Sequence, residues 1–169
     1  MKIIFETERL YIRYYTKTDA DNFYRLNGDP AVMQYIREAK TREACDLFLL
    51  QTIEYYVQHP QLGRWAMFTK SPDIFVGSFA VIPVENSPNI QLGYALLAEH
   101  WGKGYASESV KGGMQYAFEV MKLEKIYAIT QIPNIASQKV LQKCGFKQVD
   151  NIVEKGQELF CFESRRPVE

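Results

Sequence analysis

Apolar residues recur along the chain with two periods, and these periods predict its strands and helices. Alternating β-formers in "RLYIRYYT" (Arg9 to Thr16) predict a strand, and "TDADNFYRLNGD" predicts a short helix that ends near Gly28. In "TREACDLFLLQTIEYYVQHP", apolar residues at helical spacing predict a longer helix that begins after Thr41 and ends before Pro60. The apolar face expected for this helix consists of Leu47, Leu50, Ile53, Tyr56 and Val57.

The rest of the chain alternates further strands with two more helices. "RWAMFTK" and "IFVGSFAVIPV" predict a hairpin, and "IQLGYALLAE" (Ile90 to Glu99) predicts another strand. A helix with one apolar face is expected from about Tyr105 to Met121, followed by the strand "KIYAITQI". A short helix from Asn134 to Gly145 and a closing hairpin complete the order. This order predicts an α+β fold with a largely antiparallel sheet and one parallel pair of strands.

Length and composition favour one globular domain over residues 1–169. Apolar residues make up 47% and charged residues 24%, and no repeat or flexible linker divides the chain. The 20 basic residues balance the 20 acidic ones, so no overall field would attract nucleic acid or an anionic membrane. No apolar run approaches the roughly 18 residues that a membrane span needs.

The cysteines and histidines favour a cytoplasmic protein without a metal. The beginning, "MKIIFETERL", is too polar for a signal peptide. Cys45, Cys144 and Cys161 are odd in number and scattered, which is typical of free thiols in a reducing compartment. Neither Cys-x-x-Cys nor His-Glu-x-x-His occurs, and the two histidines, His59 and His100, lie far apart in sequence.

The segment "EHWGKGYASES" (Glu99 to Ser109) is a candidate phosphate site because a strand runs into a glycine loop and then a helix. Unpaired N–H groups and the positive end of a helix dipole face the same point there. The spacing does not match a P-loop, because Lys103 precedes Gly104 instead of following it. It matches a dinucleotide fold weakly, since Ser107 stands in place of the third glycine. A plain tight turn is the remaining alternative.

Two long motifs resemble one family. The run "LGYALLAEHWGKGYASESV" followed by "NIASQKVLQKCGF" resembles the GNAT superfamily of acetyl-CoA-dependent N-acetyltransferases. With the opening "TERLYIRYYTKTDADNFYRLNGDPAVMQYI", it is most similar to the Rim-type branch, which acetylates the N-termini of ribosomal proteins. The resemblance implies a mostly antiparallel sheet of about seven strands, flanked by about four helices. Strand four ("IQLGYALL") and strand five ("KIYAITQI") would splay apart.

The resemblance also implies acetyl-CoA as co-substrate, with its pantetheine arm between the splayed strands. The N–H groups of the glycine loop would hold the pyrophosphate, and Trp101 stands where the superfamily usually has Gln or Arg. Lys103 would neutralise a phosphate or remain a solvated loop residue. The cofactor-binding residues implied in this way are Leu96, Leu97, Gly102, Lys103, Gly104, Tyr105, Ala106, Ser107, Asn134 and Ser137.

The same resemblance assigns part of the catalytic machinery. Backbone N–H groups around Ala95 and Leu96 would donate to the oxygen that becomes negatively charged during transfer. Leu141 occupies the place of the tyrosine that many relatives use as the acid. Ser137, in the Rim-type Asn-x-x-Ser pattern, would instead hydrogen-bond the departing sulfur or help to cap its helix. Gln91 occupies the place of the usual glutamate base and is a poor proton acceptor.

The base and the acceptor therefore stay open. Glu99 and His100 are alternative bases, and the weak base favours an α-amine, whose pKa is lower than that of lysine. We expect the acceptor groove to lie near Met33, Gln34, Tyr35, Trp65 and the "EKGQE" turn. The sequence predicts acetylation of a protein N-terminus by a monomer or homodimer. The alternatives are a small-molecule amine acetyltransferase, an acetyl-CoA-binding module without catalysis, and an NAD-dependent redox protein.

Overall fold

A single eight-stranded sheet organises the computed structural model of the chain, which describes residues 1–168. The strands lie in the order β1-β2-β3-β4-β5-β6-β8-β7, and only β5 and β6 are parallel neighbours. Their bounds are β1 (Ile3–Glu6), β2 (Leu10–Tyr14), β3 (Gly63–Thr69), β4 (Phe75–Pro83), β5 (Ile90–Leu96), β6 (Lys125–Gln131), β7 (Lys147–Glu154) and β8 (Gln157–Arg165).

Five α-helices flank the sheet. They are α1 (Ala20–Asn27), α2 (Pro30–Met33), α3 (Arg42–Gln58), α4 (Tyr105–Gln115) and α5 (Ile135–Lys143). A π-helical turn, Tyr116–Val120, continues α4 to nearly the residue where the apolar period predicts its end. The side chain of Thr41 accepts a hydrogen bond from the N–H of Ala44 and caps α3 as expected.

The predicted α+β fold is confirmed, with one more strand and one more helix than expected. The extra strand is β1, whose four residues pair with β2. The extra helix is α2, a single turn in which Asp29 caps and Pro30 occupies the first position. Both elements are too short to show a period, so the apolar pattern could not predict them.

The buried face of α3 differs from the predicted one. Its buried residues are Cys45, Leu49, Thr52 and Tyr56. Leu47, Leu50 and Val57 are 58%, 43% and 84% exposed, so most of the predicted face is wrong. Apolar residues lie on all sides of this helix, and their spacing therefore fits more than one face. The actual face is chosen by the layer that contains Phe23 and Leu26 of α1.

The sheet also packs closely against α4. Val110 and Ala117 are fully buried there with Phe79 of β4. A Cβ added at Gly113 would lie 2.2 Å from Cζ of Phe79, so a glycine is needed where the helix crosses this ring. The contact fixes the position of α4 on the sheet, and with it the position of the loop that precedes α4.

Candidate active site

A cleft opens between β5 and β6. The two parallel strands are paired only at Gln91 and Tyr127, near their N-terminal ends. Beyond this point each strand follows its other neighbour, β5 along β4 and β6 along β8. The splay that the resemblance implied is therefore present, and it leaves one edge of each strand without a strand partner.

The backbone of β5 presents Leu96 to this cleft. The N–H of Leu97 donates to the carbonyl oxygen of Val76 at 2.9 Å, so it faces β4 and is not a free donor. Backbone N–H groups alternate along a strand, which turns the N–H of Ala95 to β4 as well and that of Leu96 to the cleft. Of the donors expected between Ala95 and Leu97, only Leu96 has the right direction.

Trp101 anchors the glycine loop to the end of β5. Its indole Nε1 donates to the carbonyl oxygen of Leu96 at 2.9 Å, while the ring is 52% exposed. A tryptophan at this position thus holds the loop through its side chain. The backbone after it is left free to contact a ligand.

The glycine loop forms a cradle of backbone N–H groups. Gly102 and Gly104 have φ angles of 73° and 83°, which favour glycine. Within residues 1–168, none of the N–H groups from Gly102 to Ser107 has a hydrogen-bond acceptor, and no side chain caps α4. These free donors lie at the positive end of the helix dipole, so the loop is suited to an anion such as a diphosphate.

A link that the sequence did not reveal holds this loop in place. Glu108, in the first turn of α4, accepts hydrogen bonds from Thr7 Oγ1 at 2.6 Å and from the Arg9 N–H at 2.7 Å, and it forms an ion pair with the Arg9 guanidinium. Arg9 Nη1 also donates to the carbonyl oxygen of Lys103 at 3.0 Å. Burial would raise the pKa of Glu108, but the bonds from Thr7 and Arg9 lower it overall. Glu108 is thus neutralised by Arg9 beside the cradle.

The alternative bases lie beside the loop and not in the cavity. Nζ of Lys103 is 3.4 Å from Nδ1 of His100, and Glu99 pairs with Arg25 at 2.8 Å on the surface. Burial and then the charge of Lys103 lower the pKa of His100. None of these residues lines the cavity described below.

The head of α5 brings together a serine and a tyrosine. Asn134 caps the helix, accepting from the N–H of Ser137 at 3.3 Å. The hydroxyl of Tyr94, on β5, donates to Ser137 Oγ at 3.2 Å. Burial raises the pKa of Tyr94, and the bond to Ser137 counteracts part of this. Leu141 lies one turn further along and is fully buried. No sequence motif contains both residues of this pair, because 43 positions separate Tyr94 from Ser137.

The cleft between β5 and β6 is part of a cavity of about 780 Å³. As expected, Met33, Tyr35 and the turn between β7 and β8 contribute to its lining. Trp65 does not, because it is fully buried in the core and its place near the groove was a wrong expectation. Gln34 is exposed and lies outside the lining.

Glu154 is the carboxylate in this cavity with the most unusual environment. Its Oε1 is buried, and no described residue donates a hydrogen bond to it. Burial and the nearby charge of Glu85 raise its pKa, and Lys155 opposes this shift. Gln91 also lines the cavity, and its amide is a poor proton acceptor. Glu154 therefore has the character of a proton acceptor that Gln91 lacks.

Most of the chain matches one protein family. Residues 9–147 match the model described as "Acetyltransferase (GNAT) domain". The chain belongs to this family. It is an acyltransferase, and the nucleotide-dependent redox alternative is wrong. The N–H cradle and the cleft of this acetyltransferase are accordingly the features that would hold acetyl-CoA.

Individual relatives agree with this assignment. The acetyltransferase is 31% identical over 145 residues to the uncharacterized N-acetyltransferase p20 of Bacillus licheniformis, covering 84% of this chain and 81% of that protein. The ribosomal-protein-S5-alanine acetyltransferase of Vibrio fischeri has a TM-score of 0.76 at 20% identity, with 95% of each chain covered. The spermidine N-acetyltransferase of Vibrio cholerae, solved with CoA and spermine, has a TM-score of 0.77 at 19% identity, covering 93% and 95%.

Some features concern other classes of site. Cys45, Cys144 and Cys161 are buried free thiols. Among residues 1–168, no three His, Cys, Asp or Glu side chains cluster as they would around a metal ion. In the same range, no helix combines the length and apolarity needed to cross a bilayer.

Proposed function

We propose that the acetyltransferase transfers the acetyl group of acetyl-CoA directly to the α-amine of a peptide or protein N-terminus. The observation that carries this proposal is the weakness of the available bases. Gln91, which the resemblance puts in the place of the usual base, lines the cavity and offers only an amide, and the carboxylate Glu154 is far too weak a base to deprotonate a lysine ammonium. An α-amine needs less help, because roughly a sixth of it is unprotonated at pH 7, against less than one in a thousand for lysine. The fold is shared equally by the S5-alanine acetyltransferase and the spermidine acetyltransferase, so the choice of acceptor rests on the chemistry of the site.

The cradle and the cleft would hold the co-substrate. The free N–H groups from Gly102 to Ser107 would bind its diphosphate, with Lys103 nearby as a further positive charge. The open edges of β5 and β6 would pair with the amides of the pantetheine arm, and Asn134 would help from the head of α5. When bound, acetyl-CoA supplies the acetyl group that the amine attacks.

Three groups of this chain would support the transfer itself. The N–H of Leu96 points into the cleft and would stabilise the oxygen that becomes negatively charged. Ser137 would donate its hydroxyl hydrogen to the departing sulfur, and Tyr94 would support it through the 3.2 Å bond to Ser137 Oγ. Glu154 would take the proton that the amine releases, directly or through water. Because its pKa is raised, Glu154 is a stronger base than an exposed glutamate. The fraction of the amine that is unprotonated before the reaction still depends on the pKa of the amine.

An acceptor screen tests this proposal. We expect free thiol release and a 42-dalton mass increase with peptides that have a free N-terminus, and none with the same peptides blocked by formylation. Lysine in a blocked peptide and spermidine should react at least about 10-fold more slowly at pH 7, because little of each is unprotonated. Faster acetylation of spermidine than of every peptide would favour the small-molecule alternative. Binding of CoA without turnover of any of these amines would contradict the proposed acceptor.

A further inference from the structure

Three basic side chains converge on one aromatic ring in the wall of the cavity. The guanidinium carbons of Arg37 and Arg64 each lie 5.4 Å from the ring centroid of Phe48, and Nζ of Lys40 lies 5.2 Å from it. All four residues line the cavity. They come from the segment after α2, from β3 and from α3, so the fold, and not the local sequence, brings these charges together.

Neither arginine has an anionic partner among the residues that the structure describes. Among residues 1–168, none of the ion pairs includes Arg37, Lys40 or Arg64. Arg37 donates to Asn27 Oδ1 at 2.9 Å, and the guanidinium of Arg64 has no hydrogen-bond acceptor in that range. Burial and then the charge of Arg64 lower the pKa of Arg37 to about 10, and burial lowers that of Arg64. The folded chain thus retains two partly desolvated charges that are near enough for Arg64 to lower the pKa of Arg37, and such perturbed groups are typical of functional sites.

The acidic residues of the cavity do not compensate for these charges. Glu154 is influenced by Glu85 and Lys155, and no glutamate is among the charges that perturb Arg37 or Arg64. Glu38 lines the same cavity but is exposed and forms no ion pair in the described range. The cavity therefore has a basic region near Phe48 and a separate acidic region at the β7–β8 turn.

We propose that Arg37 and Arg64 bind an anionic group of the acceptor, so that the substrate is an amine that also carries a carboxylate. This inference rests on the proposed transfer to an amine. Two guanidinium groups can present parallel N–H donors to one carboxylate, and the half-buried site strengthens each bond. A polyamine would instead place its positive charges against Arg37, Lys40 and Arg64. The carboxylate belongs to an amino-acid-sized acceptor or to an acidic residue near a peptide N-terminus.

Matched pairs of acceptors test this substrate class. They also show whether the carboxylate belongs to an amino-acid-sized acceptor or to an acidic residue near a peptide N-terminus. One pair is the peptide Ser-Glu-Ala-Ala-amide and its Ser-Gln counterpart, and the other is alanine and alaninamide. The measured quantity is the anion preference, defined as kcat/KM per unprotonated amine of the acidic member divided by that of the neutral member. We expect a preference of about 10- to 100-fold in the pair that represents the true source.

Variants connect this preference to the arginines. Arg64→Gln and Arg37→Gln should each reduce it by about 10-fold or more, and Arg64→Lys should retain part of it. Arg165→Gln is the matched control, since Arg165 is 72% exposed on β8 and lies outside the cavity lining. Calorimetry with CoA verifies that each variant is folded. The proposal would be overturned by an anion preference near 1 in the native enzyme or by an anion preference that is unchanged in both Gln variants. It would also be overturned if spermidine were the best acceptor.

A binding experiment decides the question even if no amine is acetylated, in which case the proposed function fails first. With CoA saturating, malonate should raise the melting temperature of the native protein and of Arg165→Gln. The shift should be lost in Arg64→Gln, compared at constant ionic strength. An equal shift in all three proteins, or no shift in any of them, would overturn the anion site.

Discussion

Replacing Gly104 by alanine tests the backbone geometry of the glycine loop. Gly104 has a φ of 83°, where a residue with a Cβ is strained by about 1–2 kcal/mol. The added Cβ would lie 3.3 Å from Arg9 Nη2, and a shift of this guanidinium by a few tenths of an ångström relieves that contact at little cost. The CoA-bound protein, which needs the loop as described, should therefore be less stable by about 1–2 kcal/mol in total.

This cost divides between two measurable quantities. If the free loop stays in place, the full strain lowers the free energy of unfolding and leaves CoA affinity unchanged. If the free loop relaxes, unfolding changes little and the Kd for CoA rises by about 5- to 30-fold, the equivalent of about 1–2 kcal/mol. Urea unfolding without ligand and titration calorimetry with CoA give the two parts. Their sum should be about 1–2 kcal/mol in either case.

Gly145 provides the matched control for this experiment. Its φ is 92° and an added Cβ meets nothing within 4 Å, so Gly145→Ala has the same backbone strain outside the loop. The control should lose about 1–2 kcal/mol of stability with an unchanged Kd for CoA. The reasoning is refuted if Gly104→Ala loses neither stability nor affinity. It is also refuted if Gly145→Ala weakens CoA binding as much as Gly104→Ala does.

Four further predictions concern proton transfer, pH-dependent stability and packing. Ser137→Ala should lower kcat at least about 10-fold and Tyr94→Phe by less, in steady-state assays; full turnover of Ser137→Ala at every pH would remove its acid role. In the native enzyme kcat/KM should rise with pH as Glu154 ionises, at a pH above the ordinary glutamate range because its pKa is raised; Glu154→Gln should lose this limb, and an unchanged profile would exclude Glu154 as the base. Because the pKa of Glu154 is higher in the folded than in the unfolded protein, its ionised form destabilises the fold. Glu154→Gln should therefore stabilise the fold at neutral pH, but not at a pH below the folded and unfolded pKa values of Glu154. In urea unfolding, Leu49→Ala should cost about 2–5 kcal/mol and Val57→Ala within about 0.5 kcal/mol; similar losses would contradict the buried face of α3.

The sequence predicted those parts of the fold in which local pattern and packing agree. The helix that begins at Tyr105 has one clear apolar face, and it forms as expected. The long helix α3 is apolar on several sides, so its spacing could not indicate that Leu49 is buried and Leu47 exposed. The four residues of β1 form a strand only because β2 is present to pair with them.

In the candidate site, too, local features could be predicted from the sequence and contacts between distant elements could not. Gly102 and Gly104 could be identified from sequence, because a positive φ at the mouth of a helix is a local property. The pairs Thr7–Glu108 and Tyr94–Ser137 are contacts between distant elements, and no local spacing contains them. The basic region around Phe48 likewise needs the three-dimensional fold, since its charges come from separate segments.

The ties from Thr7 and Arg9 to Glu108 have a consequence for protein engineering. The glycine loop is held in place by the connection between β1 and β2, about 100 positions earlier in the chain. Transplanting the glycine loop and α4 into another scaffold would thus leave Glu108 charged and without its partners. A working graft has to carry the β1–β2 connection along with the loop.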